Sequence, residues 1–176
     1  MHQSQKRSEI IEHLFSMHAD SIYRYAKYSL PCDVDAKDVV QEVFLRAFRN
    51  LDQFKGEDPK TWLFRIARNC VFDVLRKKRS ERAYLANQNH QLKPYASIES
   101  LLELEDALSR LQPTYRQVLI LRWIQDLTVE QTAAVLGWSD VKVRVMFHRA
   151  KKKLREALLE PEFIANEGGT AHGVQK

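Results

Sequence analysis

The amino-acid sequence predicts an all-α protein made of two small helical domains joined by a flexible linker. Glycine and proline number only five each in 176 residues, too few for a β-rich fold with many turns. Apolar residues make up 44% of the chain and recur along most of it at spacings of three and four, the helical period. Midway, the stretch AYLANQNHQLKPYAS is polar and aperiodic, and the sequence turns acidic just beyond it. The expected organisation is a first domain at 8–82, a linker at 83–97, a second domain at 98–159 and a disordered tail at 160–176.

Taking the chain in order, Ile10, Ile11, Leu14, Phe15, Ile22, Tyr25, Ala26 and Leu30 predict one helix, or two with a break near His18. Pro31 ends that segment. Asp35 is the expected cap of a second helix, whose Val39, Val40, Val43, Phe44, Ala47 and Leu51 form a core stripe. The opposite side carries Asp38, Gln41, Glu42 and Arg46. Asp38 and Glu42 are acidic in an otherwise basic chain, and they suit a cationic protein surface better than DNA.

The loop DQFKGEDPK leads at Thr61 into a third helix, TWLFRIARNCVFDVLRKKRSER. It mixes rings with Arg65, Arg68, Arg76, Lys77, Lys78 and Arg79. Aromatic and basic groups on one element suit single-stranded nucleic acid, because rings take unstacked bases and cations follow the backbone. The competing reading assigns Trp62, Phe64 and Phe72 to the core. Beyond the linker, IESLLELEDALSRL opens the second domain, and Pro113 starts a strongly apolar helix, TYRQVLILRWIQDL.

The segment from Leu127 to Glu156 predicts a helix-turn-helix. Thr128 and Gln131 form a T-x-x-Q capping box, with Val129, Thr132, Ala133 and Leu136 on one face. Gly137 suits the left-handed end of that short helix, and Ser139 caps the next. In the longer helix Val143, Phe147, Ala150, Leu154 and Leu158 make the buried stripe. Lys142, Arg144, Arg149, Lys151, Lys152, Lys153 and Arg155 leave the remainder basic, against Asp140 alone. Such a helix can lay its N-terminal half along major-groove base edges while its C-terminal half meets phosphate.

A net charge of +5 and a pI near 9.2 are compatible with an anionic partner. Cys32 and Cys70 lie in no C-x-x-C pair and have no His at metal spacing, so a reduced, cytoplasmic chain without a metal site or cofactor is expected. No apolar run has the length of a membrane span, and the N-terminus lacks the apolar core of a signal peptide. There is no Gly-rich phosphate loop, no H-E-x-x-H and no nucleophile elbow, which argues against an enzyme. A stand-alone helix-turn-helix regulator is the alternative within DNA binding, but it leaves TWLFRIARNC and DVVQEVF without a role.

The blocks DVVQEVFLRAF, FKGEDPKTWLFRIARNCVFDVLRKKR and LSRLQPTYRQVLILRWIQDLTVEQTAAVLGWSDVKVRVMFHRAKKKL occur in that order. Together they resemble the bacterial extracytoplasmic-function (ECF) sigma factors of the sigma-70 family, over roughly Ile10 to Leu158. The resemblance implies that the first domain is region 2, binding the clamp of the largest subunit of core RNA polymerase through Asp38, Gln41 and Glu42. The same domain would open the −10 promoter element, with Asn69 reading a flipped base and Phe54, Lys55 and Gly56 walling its pocket. Trp62, Arg65, Arg76 and Lys77 would serve the melted strand. The second domain would be region 4, docking in the −35 major groove. There Arg144, Val145, His148 and Arg149 would face bases, and Arg122, Ser139, Lys142 and Lys152 phosphates. An anti-sigma protein is the further partner implied. After Ser139 the family often has a small residue and a Thr, where this chain has Val141 and Lys142.

Overall fold

The computed structural model describes residues 2–86 and 99–159, and every regular element in them is helical. Three long helices come first: α1 (His2–Ser29), α2 (Asp33–Arg49) and α3 (Pro59–Ala86), with a 3₁₀ turn at Leu51–Gln53. Then follow α4 (Glu99–Arg110), α5 (Pro113–Leu119) with a π-helical turn at Ile120–Ile124, α6 (Val129–Leu136) and α7 (Asp140–Leu159).

The first half is a three-helix bundle. Leu14, Ile22, Tyr25 and Ala26 of α1 are buried with Val39, Val43, Phe44 and Ala47 of α2 and Leu63, Phe64, Ala67 and Val71 of α3. Tyr25 and Phe64 meet edge to face with centroids 5.5 Å apart, a geometry that contributes about 0.5–1.5 kcal/mol beyond the area buried. Helix α1 continues through His18 without a break. Asp35 does not cap α2: the helix begins at Asp33, its N-cap is Cys32 in extended backbone, and Asp35 instead pairs with Lys78 of α3. Helix α3 begins at Pro59, two residues before the expected Thr61, because Asp58 caps it by accepting from the Thr61 N–H at 2.9 Å and the Thr61 hydroxyl at 2.7 Å. Its other end runs to Ala86, into the stretch expected as linker. The remainder of that stretch and the tail at 160–176 lie outside the described residues.

In the second half, Arg116 closes the end of α4. Its guanidinium donates to the carbonyls of Leu108 at 2.7 Å, of Leu111 at 3.2 Å and of Ser109, groups a helix end leaves without partners. The single helix expected over TYRQVLILRWIQDL runs unbroken from Pro113 to Ile124, but α5 widens into the π turn at its end: Gln125 N–H reaches Ile120 O at 2.9 Å. Asp126 ends it at φ 52°, a left-handed position that Asp tolerates better than most residues. The capping box of Thr128 and Gln131 is present, Gly137 sits at φ 66°, and Ser139 Oγ accepts from Lys142 N–H at 3.3 Å. Thr132, Ala133, Val135 and Leu136 are buried against Val143, Ala150 and Leu154, whereas Phe147 is half-buried and Leu158 exposed.

The two halves are docked. Helix α6 packs on α3, and α1 meets α4, α5 and the π turn, so the buried apolar residues of both halves form one cluster.

Candidate nucleic-acid interfaces

Helix α7 divides cleanly along its length. One stripe is buried, and Val141, Lys142, Arg144, Val145, His148, Arg149, Lys151, Lys152, Lys153 and Arg155 are all exposed. The four residues expected to face bases, Arg144, Val145, His148 and Arg149, share one face of the N-terminal half, since their positions follow the i, i+1, i+4, i+5 pattern. Lys142 lies over the Trp138 ring at 4.6 Å and Lys151 over Phe147 at 5.0 Å, so both ammonium groups rest on apolar ground while remaining open to an anion. Ser139 is at the helix N-terminus, where backbone N–H groups favour phosphate. Arg122 is half-buried. Its guanidinium donates to the Leu127 carbonyl and stacks 5.5 Å over Phe147, bracing the corner between the π turn and the recognition helix.

Helix α3 divides less cleanly. Arg65, Asn69, Phe72 and Arg76 follow a spacing of four, three and four and so form one stripe on its outer side, with Asn69 and Arg76 exposed. The Asn69 amide therefore offers a donor and an acceptor to solvent. Trp62 turns inward: it is 5% exposed and its ring packs, tilted by 47°, against half-buried Phe54 with centroids 5.0 Å apart. Lys55 and Gly56 lie open beside that pair, and Gly56 sits at φ 77°, where a side chain would strain the backbone. Three of the α3 cations are engaged within the chain: Arg65 pairs with Glu57, Arg76 with Asp73 at 2.9 Å, and Lys77 approaches Glu81 at 3.9 Å. Burial of Cys70 beneath this stripe pushes its thiol up to about 11, which leaves it unreactive.

On α2, Asp38 and Gln41 are exposed, while Glu42 accepts from Arg46 at 2.6 Å. Arg46 reaches on to Asp73 at 3.1 Å, so the acidic face of α2 is joined by charge to the outer stripe of α3. Sequence reasoning missed Leu45, 50% exposed and one turn on from Gln41. An apolar residue on a polar helix face was the signal. It also missed Asp58, whose signal was the acid–Pro pair that often opens a helix. Burial acts to raise the Asp58 pKa, but hydrogen bonds from Thr61, the Lys60 backbone and Gln131 outweigh it and hold the carboxyl below its usual range.

A second apolar surface lies in the second half. Leu104, Leu108, Leu119, Trp123, Ile124 and Leu154 line a cleft of about 190 Å³, with Trp123 61% exposed at its edge. Among the described residues no helix is long and apolar enough to cross a membrane.

A helix-turn-helix with a basic reading helix, tied to a separate bundle that presents an Asn–Arg stripe, defines a two-part nucleic-acid-reading protein. Comparison with known proteins gives the family. Residues 14–81 match Sigma-70 region 2, and residues 101–154 match Sigma-70 region 4. The RNA polymerase sigma factor YlaC of Bacillus subtilis is 30% identical over 86% of this chain and 93% of its own length. The ECF RNA polymerase sigma factor BldN of Streptomyces coelicolor is 32% identical over 82% of this chain, which spans only 59% of BldN. Among solved structures, the sigma factor RpoE in complex with the anti-sigma factor NepR from Bartonella quintana superposes with a TM-score of 0.72 at 23% identity, covering 86% of this chain and 98% of that one. The chain belongs to the sigma-70 family and is of the ECF type.

Proposed function

We propose that this protein is a promoter-specificity subunit of bacterial RNA polymerase, acting in the cytoplasm without catalysis of its own. The observation that carries the reading is the presence of two differently built readers on one chain. The face of Arg144, Val145, His148 and Arg149 is free for duplex base edges, and the stripe of Arg65, Asn69 and Arg76 suits a melted strand. A groove-reading helix needs no stacking pocket, and a base-flipping site needs no helix-turn-helix. Initiation needs both.

In this reading α7 sits in the −35 major groove, with Lys142, Lys152 and Ser139 on phosphates. Asn69 takes an unstacked −10 base beside Phe54, Lys55 and Gly56. The Phe54–Trp62 pair forms the floor of that pocket, so Trp62 supports a base through Phe54. Asp38, Gln41 and Glu42, with Leu45 beside them, form the docking face for the polymerase clamp. The cleft at Trp123 suits the apolar side of a partner helix, and an anti-sigma protein is the inhibitor assigned to it.

The test is transcription in vitro. Core polymerase supplemented with this protein should yield discrete 5′ ends from a genomic fragment library, and those ends should share two upstream elements. Transcripts indistinguishable from those of core enzyme alone would overturn the reading.

A further inference from the structure

The face of α7 assigned to base edges carries two apolar residues that the core does not use. Val141 is 70% exposed and Val145 43% exposed, whereas Val143 between them is fully buried. Every other exposed residue from Asp140 to Ala157 is a cation or His148. At about 3.6 residues per turn, Val141 and Val145 fall within the arc bounded by Arg144 on one side and Arg149 on the other, and His148 shares that arc.

Two exposed valines have a cost and a use. Valine is a weaker helix former than Ala or Lys, so at solvated positions the pair destabilises α7 slightly. In a helix, however, a valine side chain is held to one preferred χ1 rotamer, and each presents its methyl groups in a fixed direction. A rigid apolar pair ringed by cations selects an anionic partner that carries apolar points at a fixed spacing. The major groove of duplex DNA is such a surface, because phosphates line its edges and the thymine C5-methyl projects from its floor. The donors and acceptors of the other base edges would lose water against a valine without gaining a partner. Spacing agrees with this partner. Four helical residues advance about 6 Å along the axis, and base pairs stack about 3.4 Å apart, so the two valines reach pairs one or two steps from each other.

We propose that Val141 and Val145 read the C5-methyl groups of two thymines in the −35 element, one valine to each. This rests on the promoter-specificity reading above and gives that site a ligand chemistry. Val141 becomes a specificity-determining residue, and Val145 selects its base by a methyl contact instead of a hydrogen bond. Arg144 and Arg149, on either side, supply the hydrogen bonds to neighbouring base edges, so methyl readout and hydrogen-bond readout divide the element between them.

The test removes the methyl and nothing else. In a promoter fragment found by mapping 5′ ends, the −35 segment is replaced by random duplex sequence, made in one pool with thymidine and in a second with deoxyuridine, which pairs with adenine in the same way but lacks the methyl. The rest of the fragment keeps thymidine. Core polymerase carrying the full chain selects from each pool, and bound and unbound fragments are sequenced. In the thymidine pool two positions should favour thymine about three- to fivefold, the worth of one buried methyl-sized group, and the deoxyuridine pool should lose that preference at both. Val141→Ala and Val145→Ala should each abolish it at one position in the thymidine pool and leave selection from the deoxyuridine pool unchanged. Both valines are exposed and Ala is the better helix former, so the variants keep the fold. The proposal is overturned if uracil is favoured as strongly as thymine, or if the variants weaken selection from both pools alike. It is equally overturned if they alter neither pool, the result expected of a valine pair that faces a protein. Enrichment confined to positions indifferent to the methyl overturns the valine assignment alone. A chain that gives polymerase no sequence preference anywhere in the random segment overturns the −35 part of the promoter-specificity reading, and the valine assignment falls with it.

Discussion

Helices α3 and α7 are both long, both basic and both assigned to DNA, yet they are built on opposite plans. In α7 the buried stripe of Val143, Ala150 and Leu154 is separate from the cationic face, and that face stands open. In α3 the same turns that hold Leu63, Phe64, Ala67 and Val71 in the core also carry Arg65, Asn69 and Arg76, and Arg65 and Arg76 are paired with nearby carboxylates. The difference follows the substrates. Duplex DNA presents a regular line of phosphates that an open row of cations can meet at once. A melted strand must be held as it is unstacked, which favours a reader anchored in a rigid core and cations that change partners only when the strand arrives.

The largest effect separating the two plans lies in the core. Phe64→Ala should cost about 3–5 kcal/mol and Leu154→Ala about 2–5 kcal/mol in urea denaturation. Because the buried residues of both halves form one cluster, each change should also lower the stability of the other half. Two independent unfolding transitions, with Phe64→Ala moving only one, would show that the docked contact couples the halves weakly.

Reading comes next in size. Arg149→Ala should lose about 1–3 kcal/mol of discrimination at one −35 position. Lys152→Ala should weaken binding evenly across promoters and lower the salt slope by about 1. Equal losses at every promoter for both variants would remove the distinction between base-facing and phosphate-facing halves of α7. Of similar or smaller size, Thr128→Ala removes the oxygen that accepts from Gln131 N–H at 3.1 Å and should cost about 0.5–2 kcal/mol of thermal stability. The Gln131 side chain keeps its bond from the backbone N–H of residue 128, at 2.8 Å, so its bond to Asp58 should persist.

Legibility in the sequence follows the same division. The capping box, Gly137, Ser139 and the buried face of α6 could be read directly because they depend on neighbours within a turn or two. The inward turn of Trp62, the bracing role of Arg122 and the pairing of Asp35 with Lys78 depend on residues distant in sequence or on a local corner that no periodicity reveals. The π turn was hidden for a related reason: its apolar spacing matches an ordinary helix, and only the Gln125–Ile120 bond shows the wider winding. The docking of the halves was the least legible feature, since Lys27 and Lys60, which reach Glu105 and the Gln125 carbonyl, belong to no motif and the capping-box reading of Gln131 says nothing of Asp58.

The smallest expected effect probes the charge pairing of α3. Arg76 is 80% exposed, so Arg76→Ala should change stability by no more than a few tenths of a kcal/mol, as for most exposed ion pairs. Its effect on DNA is the informative one. A cation that meets a phosphate from open solvent releases about 0.7 counterions on single-stranded DNA. Arg76 must first leave Asp73, whose negative charge stays beside the strand, so removing Arg76 should lower the salt slope by clearly less than 0.7. Asp73→Ala should do the reverse, freeing Arg76 while Arg46 stays on Glu42, and tightening single-strand binding at low salt. Fluorescence anisotropy with a short single-stranded −10 oligonucleotide and the polymerase-bound protein, across a salt series, measures both. A full 0.7 loss for Arg76→Ala, with no gain for Asp73→Ala, would mean that the α3 cations are as open as those of α7 and that the two readers differ only in the DNA they meet.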